Sequence, residues 1–209
     1  VAILLPNTIP CVVAYYAILK IGAIVVLNNP LYSDRELEHQ FTDSNASFLI
    51  TLDLLAKRMV ALRNKTGIKT IVYTSIGDYL PFPKRLLFPL VAKKRGLAAD
   101  VEPAANLFKF KDVIAGHSPD HTRAEVRIDD VAMYQYTGGT TGVSKGVMLT
   151  HKNLSYQIQQ LEAWFPALDK GTEIMLGALP IFHVFGMSVS MNFAIRSEEH
   201  TSELQSRQS

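Results

Sequence analysis

"VAILLPNTIPCVVAYYAILKIGAIVVL", residues 1–27, decides the fold. Its later part, Ile9 to Leu27, is nearly long and apolar enough to read as a membrane span. Lys20 and Gly22 interrupt that reading. Division into three elements accounts for the residues better. "VAILL" is a continuous apolar run, as expected of a strand covered on both faces. Pro10 stands in the first turn of a helix, Gly22 ends that helix, and "AIVVL" follows as a second buried strand.

The alternation continues to about residue 75. Ser33 and Glu36 have capping-box spacing, with Leu37 and Phe41 on one helical face behind them. "DSNAS" reads as a loop and "FLIT" as a short strand. Asp53 is expected to cap a further helix with a stripe of Leu55, Met59 and Leu62, ending at Gly67. "IKTIVYT" is the next strand. Strands separated by helices pair in parallel through crossovers, so the fold class is α/β, a doubly wound, largely parallel sheet with flanking helices.

Composition agrees. The chain has 209 residues, of which 48% are hydrophobic and 19% charged, which favours a sizeable core over disorder. A net charge of +2 is too small to point to nucleic acid, so none is expected as a partner. The single cysteine, Cys11, lies in an apolar run and reads as a buried, inert thiol. The histidines His39, His117, His121, His151 and His200 show no ligand spacing, and no zinc site is expected. The chain opens without Met and already inside a strand, so the start of the protein is expected to be missing.

Residues 76–128 change character. "DYLPFPKRLLFPLVAKKRG" sets Lys84, Arg85, Lys93, Lys94 and Arg95 beside Phe82, Leu86, Leu87, Phe88 and Leu90. The favoured expectation is a short helix whose apolar side covers the domain while its cations stay in water. The competing one is contact with an anionic membrane surface, worth roughly 1 kcal/mol per cation.

Beyond residue 129, "DDVAMYQYT" and "GVMLT" read as strands. Thr150 can cap a helix with Leu154, Ile158, Leu161 and Phe165 on one stripe. "EIMLGALP" reads as a strand stopped by Pro180, and "GMSVSMNFAI" as the start of a buried helix. Residues 196–209, "RSEEHTSELQSRQS", break the helical pattern without a loop signal and read as a non-native tail, leaving residues 1–195 as the domain.

Between the two strands lies "TGGTTGVSK", residues 137–145, too polar for any core. Gly138, Gly139 and Gly142 bare the backbone amides, which bind phosphate oxygens when no side chain intervenes. Thr137, Thr140, Thr141 and Ser144 supply hydroxyls that donate to oxyanions or reach a magnesium ion, and Lys145 adds a point charge. The Walker A pattern fails, because Val143 and Ser144 stand where its second glycine belongs and Lys145 is followed by Gly146. The dinucleotide fingerprint fails because Gly138 and Gly139 are adjacent. This loop also leads into a strand rather than a helix.

"YTGGTTGVSKGVMLTH" strongly resembles the phosphate-binding signature of the adenylate-forming superfamily, with Gly138 where Ser is commonest. That variant, the "LPIFHVFG" segment at 179–186 and the Pro/Lys-rich middle segment look like bacterial long-chain fatty-acid–CoA ligases. The resemblance covers residues 1–195 and implies part of the large N-terminal, AMP-binding domain. It implies ATP and Mg2+ as cofactors, with CoA as co-substrate. A fatty carboxylate attacks the α-phosphate to give acyl-AMP and pyrophosphate, and the CoA thiol then displaces AMP. By resemblance, residues 137–142, Ser144 and Lys145 cradle the phosphates, Thr137 faces the metal, and His183 lies near the acyl carboxylate. The catalytic candidates are thus His183 and Lys145. On residues alone His183 could equally be a core imidazole between Phe182 and Phe185. Gly186 and Met187 would begin the acyl wall.

The sequence lacks the family's acidic Tyr-Gly-x-Thr-Glu signature, its ribose-binding aspartate and its C-terminal lysine. The chain is therefore expected to be inactive alone. The resemblance implies a cytoplasmic enzyme, with peripheral contact at the inner membrane face and a homodimer both admitted. The alternatives are a truncated non-enzymatic nucleotide- or lipid-binding module, or another acid–CoA ligase or adenylation domain.

Overall fold

A computed structural model describes residues 1–118, 120, 124–137, 143–168, 171–197 and, for the backbone only, 200–202. Strand β1 (Ala2–Leu4), helix α1 (Ile9–Lys20) and strand β2 (Val25–Leu27) form the expected opening unit, with β1 and β2 parallel. Thr8 caps α1, Pro10 occupies its first turn, and Gly22 turns the chain at φ 72°, a conformation that favours glycine. No helix among the described residues is long and apolar enough to cross a membrane.

Next come α2 (Asp34–Asp43), β3 (Phe48–Leu52), α3 (Asp53–Arg63) and β4 (Thr70–Thr74). Ser33 and Glu36 close the anticipated capping box on α2. α3 differs in detail. Leu52 is its N-cap and Asp53 its first residue, with the carboxylate accepting from the neighbouring Leu54 N–H and, at 3.4 Å, from the distant Ala99 N–H. The helix ends at Arg63 rather than Gly67, and its buried side carries Ala56 beside Met59 and Leu62. The short Ala56 lets α3 lie close to the sheet, which leaves Leu55 half-buried at the margin.

Then follow α4 (Lys84–Ala92), β5 (Leu107–Lys109), α5 (Phe110–Ala115), β6 (Val131–Thr137), β7 (Lys145–Thr150), α6 (His151–Trp164) and β8 (Ile174–Leu176). A π-helical segment spans Gly186–Phe193, continued by α7 (Ala194–Arg196), and β9 (His200–Ser202) follows. Seven strands make one sheet in the order β5-β4-β3-β1-β2-β6-β7, parallel throughout except that β7 runs antiparallel to β6.

Alternation along the strands sends side chains to two cores. Ile3, Val25, Leu27, Ile50 and Met133 pack with Cys11, Ala14, Tyr15 and Ile18 of α1. Ala2, Leu4, Val26, Leu49 and Ile71 pack with Leu37 and Phe41 of α2 and Met59 and Leu62 of α3. Helices thus cover both faces, which is the doubly wound arrangement expected. Cys11 is buried, and desolvation pushes its thiol pKa up to about 12.

Two segments depart from expectation. β8 ends at Leu176, before Pro180, and pairs with β9 in a separate two-stranded ladder. Its outward residues Ile174 and Leu176 stay exposed, so it has no inner position in the main sheet. α4 forms, but it does not lay its leucines on the domain. Only Ala92 is buried and Phe88 half-buried over Gly77, whereas Phe82, Leu86, Leu87 and Leu90 are exposed. Pro89 inside the helix also removes one backbone donor.

Candidate functional site

In parallel sheets of this kind, ligands bind in the crevice beyond the carboxyl ends of the strands. The sheet delivers three segments there. β6 ends at Thr137, and β7 begins at Lys145, its register partner across the ladder. Both side chains are exposed, with hydroxyl and ammonium groups open to solvent. Gly138, Gly139, Thr140, Thr141 and Gly142, which connect them, lie outside the described residues. Ser144 is half-buried and turns toward α2, where its hydroxyl oxygen accepts from Gln40 Nε2 at 3.4 Å. The Ser144 O–H proton stays available as a donor.

The third segment is the turn at 177–183. Asn7, just past β1, fastens it with three hydrogen bonds. Asn7 Nδ2 donates to the carbonyls of Gly177 at 3.1 Å and Leu179 at 2.8 Å, and Asn7 Oδ1 accepts from Ile181 N–H at 2.8 Å. From β6, Gln135 Nε2 donates to the Phe182 carbonyl at 3.3 Å. These bonds tie the His183 turn to the same sheet edge as the β6–β7 hairpin. Gly186 closes the turn, since a β-carbon there would overlap the Pro180 carbonyl. Met187 packs in the core with α1.

His183 is exposed and its imidazole makes no hydrogen bond among the described residues. Phe185 beside it is 57% exposed, so the core-imidazole alternative does not describe this histidine. Gly186 and Met187 are buried.

Tyr136, Asn7, Gln135, His39 and Gln40 were not expected at the site. Tyr136 is 6% exposed, and its phenol donates to Asp43 Oδ2 at 2.6 Å. Desolvation, reinforced by the Asp43 carboxylate, holds that phenol protonated well beyond its ordinary range. The available sequence signal was polarity at the ends of buried strands. Asn7 and Gln135 interrupt apolar patterns where the chain leaves the sheet.

Among the described residues no group of three or more His, Cys, Asp or Glu side chains is placed to hold a metal ion. Donors, by contrast, are plentiful at this edge: the Thr137 and Ser144 hydroxyls, Lys145 and His183. That set fits an anionic ligand, and a cation would enter carried by the ligand's own oxygens. Among the described residues Gln135 Oε1 is buried without a partner, an acceptor suited to a donor group rather than to phosphate.

An open, doubly wound sheet with exposed hydroxyl and ammonium groups at its carboxyl edge defines an α/β protein with a donor-rich crevice. The chain belongs to the AMP-binding enzyme family, whose model matches residues 1–199. It is 41% identical over 199 residues to a long-chain-fatty-acid–CoA ligase of Bacillus subtilis (strain 168), covering 94% of this chain and 35% of that protein. A 4-coumarate–CoA ligase of Vanilla planifolia is 27% identical over 199 residues, covering 94% of this chain and 32% of that protein. Among solved structures, a long-chain-fatty-acid-CoA ligase from Archaeoglobus fulgidus superposes with a TM-score of 0.74 at 28% identity, covering 97% of this chain and 34% of that one. The chain thus spans about a third of the length of the curated relatives it matches.

Proposed function

We propose that this chain is the nucleotide-binding part of an ATP-dependent, AMP-forming fatty-acid–CoA ligase. The observation that carries the reading is the β6–β7 hairpin opening at the sheet's carboxyl edge, with Thr137 opposite Lys145 and the His183 turn tied beside it. Residues 137–142, Ser144 and Lys145 cradle the β- and γ-phosphates of ATP. Thr137 faces a magnesium ion held chiefly by the phosphates. His183 orients the fatty carboxylate, whose oxygen attacks the α-phosphorus as pyrophosphate leaves. The CoA sulfur then attacks the acyl carbon, AMP leaves, and the thiol proton passes to solvent. Bringing anions together is the difficulty of the first step, and positive donors on the phosphates relieve it. A long-chain acyl substrate is favoured over an aryl one by the 41% identity to a long-chain ligase, against 27% to the 4-coumarate ligase.

Residues 1–195 are then part of the adenylation domain, and 196–209 a tail foreign to it. The 209-residue chain alone lacks the acidic metal-binding signature and the late lysine, so it turns over no substrate. Pyrophosphate release with palmitate and ATP tests both claims. The full-length ligase carrying this segment should release it and the isolated chain should not; failure of the full-length enzyme sinks the assignment.

A second reading concerns α4. Phe82 is 81% exposed and Leu90 72%, and Lys84, Arg85, Lys93, Lys94 and Arg95 surround them. Exposed apolar residues ringed by cations suit the anionic face of a bilayer. Such contact would place the ligase in the cytoplasm, peripheral on the inner leaflet, where its acyl substrates partition and ATP and CoA are supplied. A lipid-binding module without catalysis, and a homodimer burying α4, are the competing uses of this face. Co-sedimentation with phosphatidylglycerol vesicles, before and after replacing the cations by alanine, decides among them.

A further inference from the structure

Helix α2 grips both stems of the β6–β7 hairpin. On the incoming stem, the Tyr136 phenol donates to Asp43 Oδ2 at 2.6 Å and stands 3.4 Å from the Gln40 carbonyl oxygen. On the outgoing stem, His39 Nε2 lies 2.9 Å from the Ser144 carbonyl oxygen, so that nitrogen carries the proton and donates. Gln40 Nε2 reaches the Ser144 hydroxyl, while Gln40 Oε1 accepts from Asn28 Nδ2 at 2.6 Å, immediately beyond β2. Gln40 is 1% exposed and Asn28 fully buried, so both ends of this relay are locked in the body of the domain.

Gly146 completes the grip. A β-carbon at this position would come within 3.1 Å of the Tyr136 ring, so the bare glycine leaves room for the ring to lie close against β7. The β6–β7 ladder already holds the hairpin together through its own backbone pairs. The bonds from α2 add a second kind of constraint. What they fix is where its open end, Thr137 and Lys145, stands relative to the sheet edge.

We propose that His39, Gln40 and Asp43 of α2 are positioning residues for the nucleotide polyphosphate, acting through Tyr136 and Ser144. The inference rests on the reading of the hairpin as the phosphate site. Charge-assisted and part-buried hydrogen bonds of this kind are worth about ten-fold in an equilibrium when lost. Steady-state kinetics of the full-length ligase that carries this segment provide the test. His39→Ala and Tyr136→Phe should each raise KM for ATP about ten-fold, while KM for the fatty acid and for CoA moves by less than about two-fold. His39→Gln keeps an N–H donor at similar reach and should restore the ATP KM. Whatever happens to the melting temperature, a merely structural role would shift all three KM values together and give no rescue by His39→Gln; that pattern overturns the proposal. Lys145→Ala separates the two levels. If it slows ATP–pyrophosphate exchange while His39→Ala and Tyr136→Phe leave ATP untouched, only the grip is wrong. If it leaves exchange unchanged, the phosphate reading falls and the grip with it.

Discussion

The β6–β7 hairpin and helix α4 both present cations to solvent, yet the protein treats them oppositely. The hairpin is fastened by side chains from α2 to both stems, and its exposed Lys145 stands on a fixed base. α4 is attached chiefly through Ala92 and half-buried Phe88, with its leucines facing water and an ion pair of Lys93, just past its end, with Asp100 on the exposed surface. Exposed pairs of that kind contribute at most about 1 kcal/mol. Directional hydrogen bonds define a position, as a site that must meet a ligand's atoms requires. An apolar face with a fringe of cations defines only a plane, which suits a partner without a specific shape.

The contrast can be broken in several places. The largest expected effect is at the hairpin. Lys145→Ala should lower the ATP–pyrophosphate exchange rate of the full-length ligase by about 100-fold, in line with removal of one transition-state donor, with little change in fatty-acid binding. An unchanged exchange rate would remove Lys145 from the chemistry. Next is the turn that carries His183. Gly186→Ala forces a methyl group into the Pro180 carbonyl and should cost about 3 kcal/mol in chemical denaturation. Asn7→Ala, which strips three hydrogen bonds from the same turn, should cost about 2 kcal/mol. If neither variant loses stability, the turn is not held as described.

On the α4 side, replacing Lys84, Arg85, Lys93, Lys94 and Arg95 together by alanine should remove most vesicle binding and leave the melting temperature within about 2 °C, since surface changes away from buried features cost little. Equal binding by the variant would end the membrane reading. The smallest effect belongs to the start of α2. Ser33→Ala removes a side-chain cap and should cost about 1 kcal/mol. Hydrogen bonds from the Ser33 hydroxyl and backbone lower the Glu36 pKa in the folded protein. That contribution is present above the unfolded carboxylate pKa of about 4.3 and fades as pH falls through the lower folded value. Glu36→Gln should therefore flatten the acid limb of a stability–pH curve, and an unaltered limb would show that Glu36 contributes nothing there.

How much was legible varied with distance along the chain. Thr150 and Asn153 cap α6 as a pair three residues apart, and Ser33 and Glu36 do the same for α2. Such signals are local, and local reading found the Thr150 and Ser33 caps. The turn from β6 into a second strand was legible because the apolar pattern of β6 stops at Thr137 and resumes at Val147. By contrast, Asn7 reaches residues more than 170 positions away, and His39 reaches Ser144 across 105. Nothing near either residue announces those partners. α4 misled for a related reason. Its hydrophobic residues satisfy a helix pattern whichever way the helix faces, and only the surrounding surface decides whether they are covered.

The order of amino acids alone determined most of the strands and helices before residue 75 and after residue 129, that the strands pair largely in parallel, and that residues 137–145 serve no core; β5 and α5 were not legible in it. Those properties follow from periodicity, capping and backbone freedom, which act over a few neighbouring residues. The tertiary structure decided the strand order that sets β6 beside β2, the seat of the His183 turn on Asn7 and Gln135, the hold of α2 on both hairpin stems, and the outward turn of α4. Each depends on groups distant in sequence meeting at hydrogen-bond or van der Waals range, a condition that the folded chain alone satisfies.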